Sequence, residues 1–379
     1  MITDLFSHKI HSSGDEWPEK LAELAAIFGE FDGELFDRSV FEERLQLISP
    51  RASYLAQEAA SKSRADGSRL DVSKFRDEIS AYPSYLGLYF LEQSPSGWVV
   101  RVSETTKRFL LIEEPDVGAF LRLQLPLFQY PNAMGASYTS RTNNLRIQAN
   151  ARDRTLDFIK QGIHFSPVRL ISIALKADAE LRGINLLEAS ISFVEIFGLA
   201  NCYQVNQTAR PDLENVTLAL ENIRCGVANL SPKYESRFHT LRHTEMFNVQ
   251  NGRVGLRKAI NEEDRYILNK QLNAVCTIEN QFNDFDSCTS GSDIELVIGG
   301  GSWGKYFDGV EILQSHIVDT LTTDKKLDTG ITNLVTDKPI PSPSAEVYSF
   351  RERTTKLSPV RPYDRSRVTG HAIFPLYGH

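Results

Sequence analysis

The chain has 379 residues, 41% of them hydrophobic and 24% charged, with a formal net charge of −7. That composition belongs to a folded protein with room for two or three domains, and it excludes a disordered or collagen-like chain. The acid excess also excludes a molecule coated in positive charge, so any nucleic-acid surface must be a local basic face. No apolar run approaches the roughly 20 residues that cross a bilayer. The N-terminus lacks the basic region and apolar core of a secretory signal, so a cytoplasmic protein without membrane contact is expected. Cys202, Cys225, Cys276 and Cys288 form no C-x-x-C pair, which favours reduced thiols over a zinc site. His239 and His243 share a helical face but lack the flanking Glu of a zinc-protease helix.

In chain order, residues 17–31 carry apolar side chains at helical spacing, with Pro18 suited to a first turn. Further helices are expected over 34–58, then a basic loop, "SKSRADGSR", at 61–69. Asp71 offers a cap to another helix, interrupted by Pro83. Pro95, Ser96 and Gly97 sit between two β-prone runs, which is a hairpin signal, and Ser103 opens the helix that follows. Helices followed by a small hairpin form a winged-helix pattern.

Residues 137–154, "SYTSRTNNLRIQANARDR", differ in character. Arg141, Asn143, Asn144, Arg146 and Gln148 are the side-chain types that read guanine and adenine edges; the same composition also fits a solvated loop. Residues 167–199 read as an αα-hairpin whose second helix is capped by Asn185, with Glu188 completing a capping box. Helices are expected again at 215–225 and 261–275, repeating the helical half of the first unit. Beyond Thr336 the chain is rich in Pro, Ser and basic residues and reads as a linker or tail.

The segment 84–224 resembles the DNA-recognition region of type IIS restriction endonucleases and nicking enzymes of the AlwI and FokI kind. Leu86-Gly87-Leu88, Ser103-Glu104-Thr105 and Gln129-Tyr130-Pro131-Asn132 occupy the places of the family's motifs, while Lys107 stands where the family often has Gly. The resemblance implies tandem winged-helix-like modules that bind a short duplex sequence. It also implies that cleavage belongs to a separate nuclease domain or subunit using Mg²⁺.

Two motifs suggest chemistry within the chain. Gly299, Gly304 and Lys305 in "ELVIGGGSWGKYF" satisfy G-x-x-x-x-G-K, but Tyr306 replaces the Ser or Thr that would hold Mg²⁺. The stretch is therefore expected to be a Gly-rich turn between short strands. A Mg²⁺ nuclease needs grouped carboxylates and a Lys. Asp293, Glu295, Asp324 and Lys326 are the candidates, with a solvated charged loop as the alternative for the last two. Asp284 and Asp286 read as a polar turn.

The sequence thus predicts a mainly helical α+β fold: winged-helix-like modules over 1–135 and 136–250, a smaller α/β module over 251–336, and a tail over 337–379. The expected function is sequence-specific double-stranded DNA recognition within a restriction or phage-defence protein. Phosphate contacts fall to Lys62, Arg64, Lys74, Arg76, Lys107 and Arg108. The alternatives are a complete Mg²⁺-dependent endonuclease with its site near 293–326, and a protein-interaction subunit using the face of residues 168–200.

Overall fold

The computed structural model describes residues 2, 5, 15–36, 86–133, 136–138, 145–226 and 235–323, leaving aside the side chains of 136–138, 145–146 and 235–237. The helices expected within 38–85 and the tail after 336 lie outside these residues. The fold is mainly helical with three small antiparallel sheets, the expected α+β class. No helix among the described residues is long and apolar enough to cross a membrane.

Helix α1 (Trp17–Gly29) starts with Pro18 in its first turn and buries Leu21, Leu24, Ala25 and Phe28. The expected helix after Glu34 does not begin there. Gly33–Phe36 instead runs beside a hairpin, β1 (Tyr89–Ser94) and β2 (Gly97–Val102). Val100 N donates to Glu34 O (2.9 Å), and Leu35 bridges Val99 antiparallel. Asp32 and Gly33 in "FDGE" favour a turn before this edge. Ser103 then caps α2 (Glu104–Phe109), its hydroxyl accepting from Thr106 N, as expected. Asp116 caps α3 (Val117–Gln124) in the same way.

A second hairpin, β3 (Ala136–Tyr138) and β4 (Leu145–Ile147), leads into α4 (Ala149–Lys160). Helix α5 (Pro167–Arg182) is the core helix: from 167 to 178 only Lys176 escapes burial. This corrects the expected αα-hairpin interaction face of 168–200, which is largely interior. Its second helix also differs. Asn185 caps only a 3₁₀ turn (Leu186–Glu188), strand β5 (Ser190–Ser192) follows, and the capping box is Ser192 with Glu195 at the start of α6 (Phe193–Ala200). Both N-x-x-E and S-x-x-E fit the capping pattern, and the apolar face that packs on α5 belongs to the second.

After the short α7 (Tyr203–Asn206) comes α8 (Leu213–Cys225), with Asp212 accepting from Glu214 N and Asn215 N. Strands β6 (Phe247–Gln250) and β7 (Arg253–Leu256) complete a sheet of order β5-β7-β6. The boundary expected after 250 therefore falls in the turn of a hairpin.

The C-terminal α/β expectation is overturned from Arg257 onward, where the described residues form helices only. These are α9 (Glu262–Thr277), α10 (Gly291–Gly299), α11 (Ser302–Tyr306), α12 (Gly309–Ile312) and α13 (Ser315–Thr322). The run "IELVI" is as apolar as a buried strand, but Ser290 and Asp293 form a capping box that starts a helix. One continuous apolar cluster joins all these elements.

Two parts of the molecule share one plan. In each, a helix (α1, α5) is followed by an extended segment that lies against the last strand of a later hairpin (β2, β7). Between extended segment and hairpin stand 52 residues (37–88) in the first and 54 (193–246) in the second. In the second these residues supply α6, α7 and α8.

Candidate nucleic-acid interface

The polar segment 137–154 is carried by β3, β4 and α4. Ser137 pairs with Arg146 in the register of the hairpin. Arg141, Asn143 and Asn144 fall in the connection outside the described residues, as does the Arg146 side chain. Gln148 is the N-cap residue of α4, with extended backbone, and it is exposed together with Ala149 and Asn150. The first turn of α4 carries no acid, so its free N–H groups face solvent in a form suited to an anion.

The base of this hairpin is fastened to α10. Ile147 N donates to Glu295 Oε1 at 3.1 Å, and a Cβ on Gly291 would stand 2.5 Å from Arg152 Cδ. Glu295 thus anchors β4 from a helix and does not face Asp293 across a strand pair. Asp293 accepts from Thr289 N (2.9 Å) and Ser290 N (2.8 Å), and these bonds hold its carboxyl below the usual range. Both nuclease candidates that are described thus have structural work, while Asp324 and Lys326 lie outside the described residues. Among the described residues no three His, Cys, Asp or Glu side chains gather as a metal site. Asp286, in the stretch expected to be a polar turn, meets His164 Nε2 at 2.9 Å.

The phosphate candidates divide. Lys62, Arg64, Lys74 and Arg76 are outside the described residues. Lys107 on α2 lies between Asp32 Oδ2 (2.9 Å) and Glu104 Oε1 (2.8 Å). Burial works against its charge, but the Glu104 and Asp32 carboxylates outweigh it and raise the ammonium pKa. Arg108 is exposed, its guanidinium 5.5 Å from the Phe109 ring centroid. Lys107 lines a cleft of about 490 Å³ with Arg101, Lys305 and the acids Asp32, Glu104, Asp308 and Glu311. The cleft has mixed charge, which gives it no preference for a polyanion.

The G-x-x-x-x-G-K stretch is a helix–turn–helix, which corrects the expected turn between strands. Gly301, at φ +77°, makes the turn from α10 to α11. Gly299 and Gly304 let the β1–β2 hairpin approach: a Cβ on Gly304 would stand 2.1 Å from Phe90 Cγ, and one on Gly299 2.5 Å from Trp98 Cη2. Lys305 Nζ donates to Glu92 Oε1 on β1 at 2.8 Å. Lys305 and Arg101 together hold the Glu92 carboxyl below its ordinary value. The glycines are there for packing, and the lysine completes the seam.

The helix expected at 215–225 is present as α8, while the β6–β7 hairpin was not anticipated. Helix α8 buries Val216, Ala219 and Leu220 and turns Glu214, Asn215, Leu218, Glu221 and Asn222 to solvent. Strands β6 and β7 join through Asn251 (φ 51°) and Gly252 (φ 71°), both left-handed, as a tight hairpin requires. The signal was in the sequence: Asn-Gly between "FNVQ" and "RVGL" is the strongest short-range hairpin pattern.

Neither a protein-family model nor a curated protein matches the sequence. In three dimensions the chain resembles the BpuJ1 endonuclease binding domain, seen in a crystal structure in complex with pyrene- and phenanthrene-modified DNA. The TM-score is 0.54 at 15% identity, over 81% of this chain and 97% of that one. The fold is similar to that of an endonuclease binding domain. Such low identity carries the fold alone, and the residues at the interface have to be argued from this chain.

Proposed function

We propose that this chain recognises double-stranded DNA sequence-specifically, as the reading part of a restriction or phage-defence endonuclease. The observation that carries the reading is the likeness over 97% of a domain crystallised with DNA. The repeated plan supports a finer version. In the second part a helix, an edge strand, a helical insert and a closing hairpin make a winged-helix-like order, and the first part shares its helix, extended segment and closing hairpin. In the second module α8 takes the place of the groove-entering helix and the Asn251–Gly252 turn the place of the wing.

Base reading in this proposal comes from Arg141, Asn143, Asn144, Arg146 and Gln148 around β3–β4, with Asn215 and Asn222 of α8 as further adenine-type readers. Arg108 and the basic residues Lys62, Arg64, Lys74 and Arg76 contact phosphate, joined by Lys107 when it leaves its carboxylates. Cleavage falls to a nuclease domain or subunit with its own Mg²⁺-binding carboxylates, in the cytoplasm.

Selection of bound duplexes from a random pool tests the reading. The expected result is one enriched short sequence. Arg141→Ala or Arg146→Ala should then relax one position of that sequence, costing ~1–3 kcal/mol there and little elsewhere. A pool that returns unenriched overturns the proposal.

A further inference from the structure

Five residues tie the second module together through charge. Arg224, in the last turn of α8, donates from Nη2 to Asp178 Oδ1 on α5 and from Nε to Glu195 Oε1 on α6, each at 2.7 Å. Asp178 also accepts from Arg182 Nη1 (3.0 Å) and from the backbone N of Ser190 on β5 (2.9 Å). Glu195 accepts from Ser192 N (2.6 Å) in its capping box and lies 3.9 Å from Arg253 Nη2 on β7. Arg253, the residue after the Asn251–Gly252 turn, closes the circuit by donating from Nε to Ser190 Oγ at 3.0 Å. Helices α5, α6 and α8 and strands β5 and β7 thus all contribute.

Such a network is a costly way to obtain stability. The Asp178 side chain is fully buried and that of Glu195 is 13% exposed. Buried ion pairs often stabilise no better than apolar groups of the same size, and their best-attested use is to fix one arrangement against its neighbours. A planar guanidinium bridging two carboxylates fixes an angle as well as a distance. What it fixes here is α8 against α5 and α6, and through Glu195 the network continues to Arg253 at the start of β7.

Building on the DNA-reading proposal above, we infer that Arg224 is a positioning residue for specificity: it holds α8 and the β6–β7 turn as one rigid reading head. It touches no base itself. A small rotation of α8 would misalign Asn215 and Asn222 with base edges while leaving phosphate contacts elsewhere intact.

The test uses the full chain and the duplex selected by the wild type. Arg224→Lys keeps the charge but loses the fork. The expected result is a fall of about ten-fold or more in discrimination between selected and scrambled duplex, the share of one or two base contacts. Affinity and salt slope on scrambled duplex should not change. Repeating the selection with the variant should show information lost over one contiguous part of the site only. Ile317→Val, on α13 and remote from the network, serves as the stability control and should leave the profile intact. If Arg224→Lys fails to fold, Glu195→Gln carries the same test, since Gln can still complete the capping box. An unchanged profile, or one weakened evenly at all positions, overturns the positioning role while the DNA reading stands. A wild type that enriches no sequence overturns both.

Discussion

Gly304 is decided by a neighbour 214 positions away in the chain. Its missing Cβ is the space into which Phe90 packs, at a distance where any real Cβ would collide. Gly304→Ala should therefore displace the β1–β2 hairpin and destabilise by about 1–3 kcal/mol, the usual cost of overfilling a packed site. Thermal or denaturant unfolding of the variant checks this, and an unchanged midpoint would show that the hairpin is free to move. Gly87 is a stricter case: it sits at φ +66°, and a Cβ there would lie 2.4 Å from Gln124 Nε2 and 2.6 Å from Phe307 O. The Leu86-Gly87-Leu88 motif is visible in the sequence, but its reason is not. Long-range steric demands leave no local pattern, which is also why the glycines at 299 and 304 read as a turn between strands and not as packing sites.

Among elements, those with a chemical start or stop were legible. Ser103 and the turn at Pro95-Ser96 mark their helix and hairpin in the sequence and do so in the structure. Short apolar runs without such marks were not, because four or five apolar residues suit a buried helix and a strand equally; "IELVI" is one. The candidate interface was readable only as composition around 141–148; the helix at 215–225 was legible, but the β6–β7 hairpin was missed although its Asn-Gly turn is a local signal. The capping box of α6 makes a prediction at this scale. Burial opposes ionisation of Glu195, but the Ser192 backbone N–H, Arg224 and the Ser192 side chain outweigh it and lower its pKa. A depressed folded-state pKa adds stability above the unfolded-state value, and this is lost as pH falls through the folded one. Wild-type melting should therefore drop on acidification below about pH 5 more steeply than that of Glu195→Gln, which lacks the titrating group. Parallel acid limbs for the two proteins would contradict it.

At the scale of the whole molecule, cations are largely matched internally. Lys107 has Asp32 and Glu104, Lys305 and Arg101 have Glu92, and Arg210 has Glu279. A phosphate must displace a carboxylate to reach Lys107, so fewer counterions are released on binding and the salt dependence is shallower than for a basic protein. Binding to a scrambled duplex should weaken by roughly ten-fold or more between 50 and 200 mM salt. Glu104→Gln, which frees one side of Lys107, should raise that affinity and steepen the slope. A variant with the wild-type slope would show that Lys107 stays away from DNA.

Gln124 joins what would otherwise be separate parts. Its side-chain nitrogen donates to Leu86 O, Gly87 O and Phe307 O, and its oxygen accepts from Gly309 N. The amide therefore clasps the entry to the first hairpin and the junction of α11 with α12, while Gly304 and Lys305 hold the same two regions a short way off. From there α12 and α13 run to Thr323, whose carbonyl accepts from Gln271 Nε2. Residue 323 is in this way fixed in place and heading relative to the first module.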